Sequence, residues 1–313
     1  MTPNPFVIDC DTGRDDALAI WIAIRLGLPL KAVVSSYGNT TLANVVENNR
    51  RVIHLAKTPI PLFTGSDKPS QDHRAYRDLV LPRQHVSGNG LCNIDLPPAS
   101  PDLRPDPLRA LWNYILDQSD ENGPIDYIIT GPATNLTAIL GMASAQQLQE
   151  HIGTITMMGG KFAPLWQQIP GADFNLACDP AAIQAIFESN IPIRFVPMNA
   201  TWPIAMTIQE IEQLKPQDDI ARTAKKIMIA HCRHFSPDPV FRFHDPSVIM
   251  AWLYPGSFVQ ERATINMNES SADFGRLTPD PAGYPVSIFR PDRETQADFL
   301  EKMLRALGFT TPS

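Results

Sequence analysis

Asp9, Asp11, Asp15 and Asp16 crowd four carboxylates into the opening segment Val7-Ile8-Asp9-Cys10-Asp11-Thr12-Gly13-Arg14-Asp15-Asp16-Ala17. Left alone, carboxylates this close repel one another and hold on to their protons. A hard divalent cation such as Ca²⁺ or Mg²⁺, which takes oxygen ligands, would keep them ionised and ordered. Asp15 and Asp16 taken alone have a simpler explanation, because negative charge is favourable in the first turn of a helix. Asp9 and Asp11 do not. They flank Cys10 where a strand leaves an apolar core, and charge there is costly without a partner. The cluster therefore reads as a metal site. An EF-hand loop is excluded, since counting from Asp9 puts Gly13 at the fifth position, where Asp or Asn is needed.

The elements that must position these carboxylates follow from apolar spacing. Phe6-Val7-Ile8 is an apolar run and Ala17 to Leu26 has helical periodicity, so the acidic cluster lies at the C-terminal end of a strand that leads into a helix. Leu30 to Ser35 predicts a second strand, Tyr37-Gly38-Asn39-Thr40 a turn, and Leu42 to Ala56 a helix. The rhythm recurs with a strand at Ile125 to Ile129, a helix near Asn135 to Met142, and strands at Ile155 to Met158 and Ile193 to Val196. Repeated βα units of this kind predict an α/β fold with a doubly wound, mostly parallel sheet in a single large domain, 1–313. In such sheets the ligand site lies beyond the carboxyl ends of the strands. The Pro- and Gly-rich segment 67–105 is weakly periodic and predicts a lid. A helical segment at about 207–243, with a polar helix from Ile220 to Phe235, is expected near the site. A β-rich stretch follows Pro255, and a last helix is expected from Thr295 to Leu307.

Composition narrows the partners. The formal charge of −7 disfavours a grip on phosphate backbones, so no nucleic acid is expected. No run approaches the length of a membrane span and the start lacks a signal-peptide pattern, so a cytoplasmic protein with no membrane partner is expected. Cys10, Cys92, Cys178 and Cys232 are scattered without a Cys-x-x-Cys pair, and reduced thiols are the default reading.

The opening segment resembles the Asp-x-Asp-Pro-Gly-x-Asp-Asp-Ala signature of the inosine-uridine-preferring nucleoside hydrolases, with Thr12 in place of Pro. The resemblance continues in order through Gly38-Asn39-Thr40-Thr41-Leu42, Thr130-Gly131-Pro132-Ala133-Thr134-Asn135, Ala172-Asp173-Phe174-Asn175, Asp179-Pro180 and His244-Asp245-Pro246. It implies the nucleoside hydrolase fold and hydrolysis of a ribonucleoside to ribose and free base, in purine or pyrimidine salvage, by a homodimer or homotetramer. It also implies one Ca²⁺ held by Asp11, Asp16, the Thr130 carbonyl and Asp245. Asp11 would double as general base toward a cation-activated water, and His244 would serve as leaving-group acid. Asp15, Asn39, Asp173 and Asn175 match ribose-binding positions, and His85 in the lid block is taken as a base contact. The chemistry agrees: the set of cation ligands is all oxygen, and a carboxylate-rich pocket suits an oxocarbenium-like transition state.

Several positions depart from the pattern. Asp173 stands where the family usually has Glu, Lys161 where many members have Asn, and Asn199-Ala200-Thr201 replaces Asp-Val-Thr. His231 and His234, three apart on one helical face, form a solvated face or border the base pocket, and lack a third ligand for zinc. Trp166 and Trp202 are either nucleobase stacking partners or packing. A non-catalytic nucleoside- or sugar-binding protein with the same calcium cage is the alternative. A Mg²⁺-dependent phosphohydrolase of the haloacid dehalogenase type fits less well, because Gly13 stands where that pattern wants Thr.

Overall fold

The computed structural model describes residues 4–310 apart from 75, 87, 163–172, 236–237 and 272, and the side chains of 79, 85 and 86 are outside the described set. Trp166 and the side chain of His85 therefore lie outside the described residues. Ten strands form the main sheet: β1 (Phe6–Cys10), β2 (Leu30–Ser35), β3 (Leu62–Thr64), β4 (Asp106–Pro107), β5 (Ile125–Ile129), β6 (Ile152–Met158), β7 (Ile193–Val196), β11 (Phe258–Ile265), β12 (Leu277–Pro279) and β13 (Tyr284–Phe289). Between β7 and β11 run β8 (Ala205–Thr207), β9 (Lys215–Pro216) and β10 (Val240–Arg242), and β14 (Phe309–Thr310) ends the described chain. They make two small antiparallel pairs, β8 with β10 and β9 with β14.

The sheet order is β12-β11-β13-β7-β6-β5-β1-β2-β3-β4. Pairing is parallel from β13 through β4 and antiparallel only where β11 meets β12 and β13. The chain winds outward from β1 in one direction and from β5 in the other. The switch point, where a doubly wound sheet opens a crevice, therefore lies between β1 and β5. The predicted strands stand, with β1 extending to Cys10 and β6 starting earlier, at Ile152. The segment 67–105 is less irregular than expected: it carries a π-helical turn at Tyr76–Val80 and a short helix at Leu81–Val86.

Strand alternation distributes β1 between two cores. Phe6, Ile8 and Cys10 face one apolar cluster, and Val7 faces the other. Two helices in the first cluster are buried nearly all round, as a helix with no polar face must be. The Arg14–Arg25 helix buries every residue from Asp16 to Ala23, and the His244–Leu253 helix every residue from Asp245 to Trp252. They pack against each other, and Trp252 reaches the sheet by donating to Asp126 Oδ2 at 2.7 Å. The first helix starts at Arg14, three residues before the apolar run that announces it. The Gly13 amide donates to Asp16 Oδ2 at 2.9 Å, which starts the helix without a hydroxyl cap.

The loop after β1 is fixed from below. Thr12 donates its hydroxyl to Asn49 Oδ1 at 2.5 Å, and Asn48 Nδ2 donates to the Thr12 carbonyl at 2.9 Å. Trp21, on the Arg14–Arg25 helix, donates its indole N–H to the Val52 carbonyl at 3.0 Å, tying that helix to the Leu42–Ala56 helix. Among the described residues no helix is long and apolar enough to cross a membrane. Trp21→Ala removes a fully buried ring and this bond, and should cost about 3–5 kcal/mol of stability, read as a lowered midpoint in urea denaturation.

Candidate active site

Two buried helices begin at the same place. Asp15 and Asp16 lie in the first turn of the Arg14–Arg25 helix and Asp245 in the first turn of the His244–Leu253 helix. Carboxylate oxygens of Asp15, Asp16 and Asp245 all lie within 4.8 Å of one another. Converging helix N-termini offset part of this negative charge, but the remainder is large. Asp16 is fully buried and Asp245 almost so. Burial, and then the charges of Asp15, Asp16 and Asp11, push Asp245 well above the usual carboxylate range. Burial and Asp15 push Asp16 up to about 6, against hydrogen bonds from the Gly13 amide and the Thr130 hydroxyl.

Asp11 forms the next layer. The Asn39 amide donates to its Oδ2 at 2.6 Å and Asn39 Nδ2 to its Oδ1 at 3.1 Å, so both oxygens are oriented by one residue. Asn39 Nδ2 is also 3.5 Å from Asp16 Oδ2, which links the two carboxylates. Burial and Asp16 raise the proton affinity of Asp11 well above normal. The backbone here must come close: a Cβ on Gly38, whose φ is +153°, would lie 2.1 Å from Asp11 Oδ2, and one on Gly131 would lie 2.8 Å from the Asp11 amide. The turn residues flanking these aspartates are glycine for lack of room.

Asp9 is separate from this group. It is a β1 residue, and its carboxylate accepts from Tyr127 at 3.0 Å and Asn135 Nδ2 at 2.9 Å. Burial raises it to about 7. Asn135 also donates to the Ser35 carbonyl and accepts from the Ser66 amide, so Asp9 organises the strand ends below the site.

Above the carboxylates is a cavity of roughly 190 Å³ whose wall includes Asp15, Asn39, Thr130, Asp173, Asn175, His244 and Asp245. All seven were singled out from sequence, and the fold brings them to one crevice. Asn175 Nδ2 donates to the Thr130 carbonyl at 2.7 Å, leaving that oxygen a second lone pair. Asp173 caps the Phe174–Cys178 helix, accepting from the Asn175 amide at 3.1 Å and the Leu176 amide at 3.4 Å. The buried Lys161 amine lies in its field. Asn199 exchanges two hydrogen bonds with the Phe162 backbone, at 2.8 and 3.0 Å.

His244 Nδ1 lies 2.7 Å from Thr201 Oγ1, which fixes the ring and leaves Nε2 free of that bond. Burial lowers His244 to about 4, so the ring is a neutral imidazole near pH 7. His231 is half-buried, edge-on to Phe241 at 5.4 Å, and lowered to about 3 by burial, whereas His234 is exposed. The only His, Cys, Asp and Glu grouping suited to a metal among the described residues is the aspartate one, so the histidine pair makes no zinc site. Trp202 packs under the Arg242 guanidinium at 3.9 Å.

The cavity wall also contains Arg14, Arg83, Met158, Phe174 and Met198, which sequence reasoning missed. Arg14 was visible at the variable position of the opening motif. Arg83 falls in the segment 67–105, where periodicity gives no signal, and the methionines are indistinguishable in sequence from core residues.

Donor chemistry favours a hard divalent cation. The set is all oxygen, the carboxylates are buried beyond what their hydrogen bonds offset, and each would release its proton to a cation.

Residues 6–303 match the sequence pattern of the family described as "Inosine-uridine preferring nucleoside hydrolase". The chain is 29% identical over 318 residues to the pyrimidine-specific ribonucleoside hydrolase RihA of Photobacterium profundum, covering 96% of this chain and 98% of that one. It is 30% identical over 316 residues to RihA of Escherichia coli O7:K1, with the same coverage. In fold it is similar to a purine-preferring ribonucleoside hydrolase from Gardnerella vaginalis, at TM-score 0.79 and 20% identity over 97% of this chain and 98% of that one. It is also similar to the plant nucleoside hydrolase PpNRh1, at TM-score 0.78 and 19% identity over 98% and 99%.

Two outcomes follow from this geometry. Gly38→Ala puts a methyl against the carboxylate of Asp11 and should weaken divalent-cation binding about tenfold in calorimetric titration. The second concerns pH. His231 and His244, lowered by burial, add stability until unfolded imidazoles have lost their protons, at about pH 7.5. Above that pH the carboxylates and buried thiols of raised proton affinity decide the direction. The folded, metal-free state then holds more protons than the unfolded one, and its stability falls as pH rises. Chelated protein should lose thermal stability between about pH 7.5 and 8.5, and Ca²⁺ should flatten the loss. Scanning calorimetry showing stability that rises over that window after chelation would contradict this account.

Proposed function

The chain belongs to the inosine-uridine preferring nucleoside hydrolase family, whose members are ribonucleoside hydrolases, and we propose that it cleaves the N-glycosidic bond with one Ca²⁺ and Asp11 as general base. The observation that carries this reading is the group of buried, mutually repelling carboxylates at two helix N-termini, opening into the switch-point cavity. Asp11, Asp16, Asp245 and the Thr130 carbonyl would hold the cation. When bound, the cation supplies an anchor for the ribose diol and raises the acidity of water beside it.

The remaining work belongs to side chains. Asp11 takes the proton of the attacking water; its two bonds from Asn39 aim it, and a cation beside it would keep it ionised and able to accept that proton. The water oxygen joins the anomeric carbon as the bond to the base nitrogen breaks. Positive charge that develops on the sugar is stabilised by the carboxylates of Asp15 and Asp173, and Asp15, Asn39, Asp173 and Asn175 supply hydrogen-bond partners for the ribose hydroxyls. His244 stabilises the departing base as a neutral imidazole, by hydrogen bonding, because burial keeps it from carrying a proton in advance. His85 in the lid is a base contact in this reading.

Uridine and cytidine are the first substrates to try, since the curated relatives above are named pyrimidine-specific; inosine is the purine comparison. A cytoplasmic salvage role as a homodimer or homotetramer completes the proposal, and light scattering reads the assembly. Free ribose should appear from at least one nucleoside, vanish on chelation and return with Ca²⁺. Asp11→Asn should reduce turnover by about 10²–10⁴-fold with the fold retained by circular dichroism. Release that ignores chelators removes the metal from the mechanism, and no release from any riboside leaves only a binding protein.

A further inference from the structure

Arg14 and Arg83 both line the cavity. They come from different elements, Arg14 from the first position of the Arg14–Arg25 helix and Arg83 from the Leu81–Val86 helix of the lid. Neither forms an ion pair among the described residues, although Asp15, Asp173 and Asp245 share the same wall. The Arg83 guanidinium lies over the Phe174 ring, 4.0 Å from its centre. A guanidinium stacked in this way keeps its N–H edges available for a carboxylate or phosphate.

The arrangement is costly as it stands. Arg14 is a cation at a helix N-terminus, where the dipole opposes positive charge. Burial is the main effect that lowers the Arg83 pKa, and the neighbouring charge of Arg14 is the next. Like charges facing one cavity are relieved by an anion between them. Nearby carboxylates offset this only in part: Asp11 and Asp15 act on Arg83 against burial and Arg14, yet its pKa stays lowered, and Asp173 caps its own helix.

We propose that Arg14 and Arg83 form an anion subsite, so that the preferred substrate is an N-riboside carrying a phosphate or carboxylate group and not a neutral nucleoside. This rests on the hydrolase reading above and names the substrate class of that site. The anionic group is held, not consumed; the bond that breaks is still the one from the anomeric carbon to the base nitrogen, with water as co-substrate. Arg14 and Arg83 together offer ten N–H bonds in two planar forks, enough to surround a phosphate or a carboxylate edge-on.

The test uses the full chain with Ca²⁺ and three substrates on one scaffold: uridine, uridine 5′-monophosphate and uridine 6-carboxylate, with inosine and inosine 5′-monophosphate as a purine pair. Released sugar or sugar phosphate is measured. The expected result is an anionic substrate exceeding its neutral counterpart about tenfold in kcat/KM, carried mainly by KM. The phosphate and carboxylate arms identify which group is bound. R14M and R83M should bring that ratio to about one, and R83K should fall between, since lysine keeps the charge without the fork. A wild-type ratio of one or below for every anionic substrate overturns the proposal, as does an advantage that survives both methionine variants; the wild-type ratio decides even where a variant does not fold. Cleavage of neutral ribosides without anionic preference overturns the subsite and leaves the hydrolase. No cleavage of any riboside overturns both.

Discussion

Holding several carboxylates out of water beside one another is the constraint on which the site depends. Removing an ionised carboxylate from water costs several kcal/mol even after relaxation, and here Asp16 and Asp245 converge with Asp15 while Asn39 links Asp11 to Asp16. The fold answers with every donor it can bring. Two helices direct their N-termini at the same point; the Gly13 amide and Thr130 hydroxyl serve Asp16, and Asn39 serves both oxygens of Asp11. Those donors do not offset the whole charge, since proton affinities remain raised throughout the group. A site left short of positive charge in this way is one that takes a cation.

The same demand explains the surrounding architecture. Helices Arg14–Arg25 and His244–Leu253 are apolar on nearly every face because they must lie inside the molecule to bring their first turns to the sheet's switch point. The loops on the strand ends approach so closely that Gly38 and Gly131 have no space for a side chain. Beneath them, Asp9 draws Tyr127 and Asn135 together and so ties β1 to β5, the pair whose separation opens the crevice.

The segment 67–105 is fastened near Ser70 and near Gly88 by polar side chains of this framework. Thr40 Oγ1 and Asn44 Nδ2 donate to the Gly88 carbonyl, and Asn48 Nδ2 to that of Asn89. Asp179 accepts from the amide and hydroxyl of Ser70 while also receiving the Thr134 hydroxyl and capping the Pro180–Glu188 helix. The Asp179-Pro180 pair in the sequence is therefore both a helix start and a tether. Its neighbour Cys178 offers its carbonyl to His73 Nε2 and the Tyr37 hydroxyl, which brings the segment 67–105 and the Asn39 turn against the helix capped by Asp173.

By itself the sequence determined the βα rhythm and the strand ends on which the acids sit, while the resemblance of its ordered motifs to the family implied seven residues of the cavity wall. It could do so because apolar periodicity is local and because four aspartates in one short segment have no inexpensive explanation without a ligand. Tertiary structure decided what depends on distance between remote segments. It separated Asp9 from the other aspartates, added Asp15 to the close group, and turned Asn199 toward the Phe162 backbone. Burial set His244 as a neutral ring, which residue type alone would have put near the middle of the physiological range. Arg83 entered the site from the segment 67–105, which is held by hydrogen bonds to residues tens of positions away and so leaves no periodic trace in the chain.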